Sequence, residues 1–220
     1  MVVAIDGPAG TGKSTVAQRV AEKSGFLYLN SGKFYRAITH KALKQGKSKE
    51  NRHALIATAA DITIEVQENN FIVDGAALDR ELHTPEIDEN VAEVSSIPEV
   101  RISVNARIKK VAEDRDLVVE GRDMQTTVFP NAEVKVYLDA DVRTRALRRY
   151  RQNDAGGSLE EIEEAIRRRD EIDTTKQMGK LERADDALYI DTTDLTIDEV
   201  CEKVMASIQK KKKNKAGVIE

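Results

Sequence analysis

The sequence predicts an α/β domain built on a buried parallel sheet. Three features lead there: short apolar β-branched runs spaced along the chain, amphipathic helical stretches between them, and a glycine-rich loop joining the first strand to the first helix. Met1 to Ile5 is the first apolar run. Gly7-Pro8-Ala9-Gly10-Thr11-Gly12-Lys13-Ser14 then fits G-x-x-x-x-G-K-[ST] at every fixed position. Glycines let the backbone bend around an anion so that successive N–H groups donate to phosphate oxygens. Lys13 adds a point charge, the Ser14 hydroxyl suits Mg²⁺, and Thr15 follows in a helix whose positive end faces the same phosphates. With 220 residues the chain suits one domain with room for a small insertion.

Composition excludes several classes. One cysteine, Cys201, rules out an internal disulfide and a multi-cysteine metal site, and there is no apolar run of membrane-spanning length. The chain therefore reads as cytoplasmic. Net charge is −4, from 35 basic and 39 acidic side chains, so nothing global points to nucleic acid or an anionic membrane, and 4% aromatic content argues against a base-stacking platform. His40, His53 and His83 lack ligand spacing and read as ordinary residues.

Phe26 to Leu29 is a second buried strand after a helix stop at Gly25, and Asn30-Ser31-Gly32 leads into a helix carrying Phe34, Tyr35 and Arg36. Ligands collect beyond the carboxyl ends of parallel strands, which brings Ser31 and Arg36 to the crevice of the glycine loop; Ser-Gly also reads as a plain helix cap. After helical residues 54–60, Asp61 to Gln67 alternates at period two, Asn69-Asn70 offers a turn, and Phe71 to Val73 resumes the strand, predicting an antiparallel hairpin outside the main sheet. A short helix to about Ala92 follows Thr84-Pro85, and a longer one runs from Pro98 to about Asp114. Leu117 to Val119 forms the next strand and ends in Glu120-Gly121-Arg122-Asp123, charge that a hydrophobic strand end does not need for packing.

Glu133 to Leu138 is a fourth strand, and the helix after Asp141 carries Arg145, Arg148 and Arg149 on one face. Ala155-Gly156-Gly157 reads as a hinge. Ser158 to Glu161 has a capping-box pattern, and the helix it starts ends around Arg167 to Asp170, with Asp173 and Lys176 beyond. Eight arginines between Arg143 and Arg169, on two helices about that hinge, suit a mobile cationic flap over phosphates. Ala187 to Ile190 is a fifth strand, Thr196 to about Ile208 the last helix, and Lys210 to Lys213 with Lys215 a frayed tail.

With these pieces placed, nearly the whole chain resembles the bacterial cytidylate kinases. The most specific part is Gly121-Arg122-Asp123-Met124 with Thr126 and Val128-Phe129-Pro130, joined by Asp6-Gly7-Pro8, Ser31-Gly32, Tyr35-Arg36 and Arg169-Asp170-x-x-Asp173. The resemblance implies a three-layer P-loop kinase fold with a five-stranded parallel sheet, a small antiparallel hairpin-plus-helix insertion (about 61–114) and a short arginine-rich lid (about 151–169), all in one domain. It implies transfer of the γ-phosphoryl of ATP to CMP or dCMP with Mg²⁺, by a monomer. Residues 10–15, with Lys13, would hold the ATP phosphates, Ser14 would ligate Mg²⁺, and Glu120 or Asp6 would act through Mg²⁺-bound water. Ser31, Arg36, Arg101 and Arg122 would grip the acceptor phosphate, and Asp123 with Arg101 would read cytosine. Asp173 and Arg169 match groups around the ribose and phosphates. Arg145, Arg148 or Arg149, and Arg169 would close over the transferring group.

The chain departs from the family pattern at Asn30, Ala92, Gln125, Ile172 and Lys176. Lys176 brings charge without an arginine's bidentate fork. Two rivals explain less. A P-loop kinase for another acceptor, such as UMP, a sugar or a shikimate-like alcohol, accounts for the glycine loop and leaves Asp123 beside Arg122 without a use. A GTP-dependent switch needs Asn-Lys-x-Asp, and Asn214-Lys215-Ala216-Gly217 fails at the last position.

Overall fold

The computed structural model describes residues 1–67, 70–151 and 157–216. The chain runs β1 (Val2–Asp6), α1 (Lys13–Ser24), β2 (Leu27–Asn30), α2 (Ser31–Lys44), α3 (Arg52–Asp61), β3 (Ile64–Gln67), β4 (Asn70–Val73), β5 (Ala76–Ala77), α4 (Pro85–Ser96), α5 (Pro98–Ala112), β6 (Leu117–Gly121), β7 (Val134–Asp139), α6 (Val142–Arg151), α7 (Leu159–Thr175), β8 (Leu188–Asp191) and α8 (Ile197–Ala216). Five strands form one parallel sheet in the order β2-β6-β1-β7-β8.

Alternation along each strand sends successive side chains to opposite faces, and both faces are covered, which gives three layers. Ala4, Leu29, Leu117 and Val119 join a core with Phe34 and Ile38 of α2, Val91 of α4 and Val104 of α5. Val3, Ile5, Val118 and Val136 face the other way, against Val16 and Val20 of α1 and Val200 and Val204 of α8. Register aligns the strand ends: Ile5 lies opposite both Glu120 and Val136, and Asn30 opposite Glu120. The glycine loop, the start of α2 and the end of β6 therefore meet at one carboxyl edge. No helix among the described residues is long and apolar enough to cross a membrane.

Three expectations need correction. The hairpin is a three-stranded sheet: Asp74 (φ 48°) and Gly75 (φ 82°) form a tight turn that adds β5. Two exposed alanines carry no period-two signal, so β5 was invisible to pattern reading. Helix α7 continues to Thr175, past the end expected near Asp170, with Ser158 and Glu161 forming the expected capping box. Helix α8 continues through the lysines to Ala216; lysine is a good helix former, and the Lys212 ammonium lies 4.7 Å over the Phe26 ring. Asn69 of the expected turn and Ala155-Gly156 of the expected hinge lie outside the described residues.

Candidate active site

The glycine loop is shaped by close approach. A Cβ at Gly7 would sit 2.0 Å from the Leu138 carbonyl oxygen, and one at Gly10, whose φ is +82°, would sit 2.9 Å from Cβ of Arg145. The loop thus lies flat on β7 and α6. Thr11 donates from Oγ1 to the Pro8 carbonyl at 3.2 Å, and Lys13 Nζ donates to the same carbonyl at 2.6 Å. Burial, then the positive charge of Arg122, pushes the Lys13 ammonium well below the usual lysine range. An ammonium so placed gains most from an anion arriving beside it.

Across the sheet edge lies a cleft of about 890 Å³ lined by Ala9, Gly10, Gly12, Lys13, Ser14 and Thr15 on one side and by Ser31, Arg36, Arg101, Arg122, Asp123, Asp173 and Lys176 on the other; Glu120, Arg148, Arg149 and Arg169 also line it. Nine Lys and Arg face four Asp and Glu on its wall, so a chain of net charge −4 concentrates positive charge in one place. Gly7, Pro8 and Thr11 support the loop from behind and do not line the cleft.

Three of the four acidic residues there, Asp88, Asp123 and Asp173, are already ion-paired. Asp173 sits between Arg122 (Nε to Oδ2, 2.8 Å) and Lys176 (Nζ to Oδ1, 3.0 Å). Burial would raise its carboxyl, but Arg122 and Lys176 outweigh burial and hold it well below the usual carboxylate range. Arg169 makes no hydrogen bond or ion pair of its own among the described residues; burial, then Arg122, lowers it to about 10. It faces the cleft without a direct ion pair, feeling the Asp173 and Asp88 carboxylates only at longer range.

Arg101 and Asp123 form a nearly inaccessible ion pair, Nη2 to Oδ2 at 2.6 Å, with side-chain exposures of 1% and 2%. Arg101 also donates from Nη1 to the Ser95 carbonyl at 2.9 Å and lies 5.3 Å over the Tyr35 ring. Beside that ion pair, Arg101 Nε and the Tyr35 hydroxyl are buried without a hydrogen-bond partner. Two unsatisfied polar atoms beside a buried ion pair are an exception in a folded interior, where polar groups are normally paired.

The two carboxylates considered for the metal end differ. Both oxygens of Asp6 accept backbone N–H groups, Met124 at 3.1 Å and Gln125 at 2.8 Å, and so pin one wide helical turn (Met124–Val128) behind β6. Burial nonetheless raises Asp6 to about 6. Asp6 does not line the cleft, whereas Glu120 does and accepts from the Tyr28 hydroxyl at 2.5 Å. Ser14 is exposed in the same cleft. No group of three or more His, Cys, Asp or Glu among the described residues can hold a metal ion, so the protein's own donors to one are few.

The arginines of α6 share a helix face but not a destination. Arg145 lies under the loop, donating to the carbonyls of Ala140 (3.0 Å) and Ala9 (3.1 Å) and to Asp170 (2.5 Å), and it does not line the cleft. Arg148 donates to Thr192, whose hydroxyl in turn holds the Thr11 carbonyl at 3.3 Å. Arg149 reaches Asp88 at 3.2 Å.

Sequence reasoning passed over Asp88, Tyr28 and Gly179. Asp88 sits in the first turn of α4, where acids commonly face the helix dipole, so its position gave no signal. Gly179 has φ +65°, and a Cβ there would fall 2.2 Å from Asp123 Oδ2 and 2.3 Å from Arg101 Nη2, so its main chain closes over that ion pair. Only the glycine itself could have signalled it.

Comparison with known proteins agrees with this geometry. The family model described as cytidylate kinase matches residues 3–210. A cytidylate kinase of Ligilactobacillus salivarius is 43% identical over 216 residues, covering 95% of this chain and 96% of that one. One of Bacillus licheniformis is 41% identical (96% and 97% covered), and one of Clostridioides difficile 40% (94% and 98%). Among solved structures, an uncharacterized protein from Eubacterium ventriosum superposes with a TM-score of 0.56 at 13% identity, over 96% of this chain and 98% of that one, a likeness of fold alone. A family match over residues 3–210, with cytidylate kinases 40–43% identical over nearly the whole chain, establishes that this chain belongs to the cytidylate kinase family.

Proposed function

We propose that this protein transfers the γ-phosphoryl group of ATP to CMP and dCMP, giving ADP and CDP or dCDP, as a cytoplasmic monomer. The observation that carries the reading is the buried Arg101–Asp123 ion pair, with Arg101 Nε and the Tyr35 hydroxyl unsatisfied beside it, set across the cleft from the glycine loop. Cytosine presents an N4 amino donor, for which a carboxylate is the natural acceptor, and uracil presents a carbonyl there. An ionised Asp123 facing a second acceptor loses roughly 1–3 kcal/mol or more.

Phosphoryl transfer needs alignment and positive charge rather than covalent help. The bond to the β-phosphate oxygen breaks as an acceptor phosphate oxygen bonds to the γ-phosphorus. In this reading the backbone of 10–15 and Lys13 hold the donor phosphates, and Ser31, Arg36, Arg101 and Arg122 hold the acceptor phosphate. Arg148, Arg149 and Arg169 lie toward the group in transfer. Arg145 works from beneath the loop, fixing the Ala9 carbonyl. Asp173 and Lys176 orient Arg122 beside the acceptor sugar and phosphate. Ser14 and Glu120 are the residues for Mg²⁺: the hydroxyl is exposed in the cleft, and Glu120 has one oxygen engaged by Tyr28. With Mg²⁺ bound alongside the nucleotide, the site would gain a cation to offset charge on the phosphate oxygens. The core, the insertion of residues 61–114 and the lid of residues 151–169 are the working parts of the proposal.

A coupled assay for ADP release across CMP, dCMP, UMP, AMP and GMP tests it. CMP and dCMP should lead and UMP should trail. A preference for AMP, or no turnover with any pyrimidine monophosphate, would overturn the reading.

A further inference from the structure

Asp88 lies in the first turn of α4, inside the cleft, and each of its two oxygens meets a different arginine. Oδ1 accepts from Arg36 Nη2 at 2.5 Å and Oδ2 from Arg149 Nη2 at 3.2 Å. The side chains are mostly covered, 25% exposed for the acid and 13% and 22% for the arginines. Burial alone would raise the Asp88 carboxyl, but Arg36 and Arg149 outweigh it, so the group stays ionised near neutrality. The proposed function assigns Arg36 to the acceptor phosphate and Arg149 to the phosphoryl in transfer. A carboxylate bridging those two guanidiniums does what a phosphate bound between them would do. It also ties three elements, α2, α4 and α6, at the mouth of the cleft.

We propose that Asp88 is a specificity-determining internal anion: it occupies Arg36 and Arg149 until a phosphate displaces it, so that the acceptor site yields to a dianionic phosphate and resists weaker anions. The physical basis is competition. A phosphate monoester near neutral pH carries close to two negative charges and three acceptor oxygens, against one charge and two oxygens on a carboxylate, and guanidiniums favour the former. Displacement consumes part of the acceptor's binding free energy and at the same moment frees α4 from α6. A residue that instead merely aimed Arg36 at the substrate would have the opposite effect when neutralised.

The inference rests on the acceptor being a nucleoside monophosphate, and the test separates the two. Dissociation constants of CMP and of cytidine, which lacks the phosphate, are measured by calorimetry for the wild type, Asp88→Asn and Asp88→Ser, with melting curves to confirm that each is folded. Two variants are used so that loss of one leaves the comparison standing. Partly exposed pairs of this kind are worth a few-fold each, so CMP should bind about three- to tenfold tighter to both variants while cytidine stays within about twofold. Inorganic sulfate should compete with CMP in the variants at lower concentration than in the wild type. Unchanged or weaker CMP binding in the variants, or equal tightening of cytidine, overturns the role of Asp88. A wild type that binds no CMP overturns the kinase reading itself.

Discussion

Removing the Asp173 carboxylate is the most demanding test of how this cleft is held together. Its oxygens lie 2.8 Å from Arg122 and 3.0 Å from Lys176, and side-chain exposures are 5%, 18% and 1%. At about 3 Å and an effective dielectric of about 20, each attraction is on the order of 5 kcal/mol before desolvation takes back its share. Asp173→Ala leaves two covered cations without their counterion, next to an Arg169 that burial and Arg122 already depress. Breaking such a pair from one side costs about 3–5 kcal/mol. For a chain of this size that lowers Tm by about 6–20 °C. Urea and thermal unfolding followed by circular dichroism measure it. The sign with pH follows from the depressed carboxyl: its contribution is fully present above the unfolded aspartate value near 4 and is lost only as pH falls through the lower folded value. The penalty should therefore be the same at pH 6 and pH 8 and shrink in acid. Asp173→Ala/Lys176→Met should be less destabilised than Asp173→Ala alone, since one stranded cation is gone. Sulfate should raise the Tm of Asp173→Ala more than that of the wild type, because an anion can take the vacated place. A loss under about 1 kcal/mol, with no rescue by sulfate, would refute the view that this carboxylate organises the cations of the site.

Three further outcomes are expected. Gly179→Ala places a Cβ 2.2 Å from Asp123 Oδ2 at a positive φ, so it should displace the Arg101–Asp123 pair, lower kcat/KM for CMP at least tenfold and narrow the CMP to UMP ratio, read from initial rates. Arg169→Ala should cost kcat about 10²- to 10³-fold with a much smaller change in KM for ATP, since this cation makes no hydrogen bond or ion pair among the described residues. Asp6, pushed up to about 6, has a folded value above its unfolded one, so stability should fall by about 1–3 kcal/mol as pH rises from about 4 to 7, and that slope should flatten in Asp6→Asn when unfolding is followed across pH.

The sheet, its flanking helices and the phosphate loop were legible because each rests on local chemistry: apolar runs long enough for buried strands, helical spacing, and glycines beside a lysine and a serine. The buried charge at the end of β6 stood out as well, since stranded carboxylates and guanidiniums have no packing use. What local chemistry left dark has a common cause. Asp6 sits beside the loop in sequence yet is spent on the N–H groups of Met124 and Gln125, more than a hundred residues away. Arg145, Arg148 and Arg149 are equivalent by helical spacing, but they end on Asp170, Thr192 and Asp88, brought near by α7, β8 and α4.

By itself, then, the order of residues determined which groups this chain carries to the carboxyl edge of its sheet, because strand and helix periodicity decide what lies at each element's end. Only the tertiary structure decided which of those charges pair within the chain, as Arg101 does with Asp123, and which, like Arg169, keep no ion pair among the described residues. Pairing depends on distances of about 3 Å between residues far apart in sequence, and those distances exist only once the layers have closed.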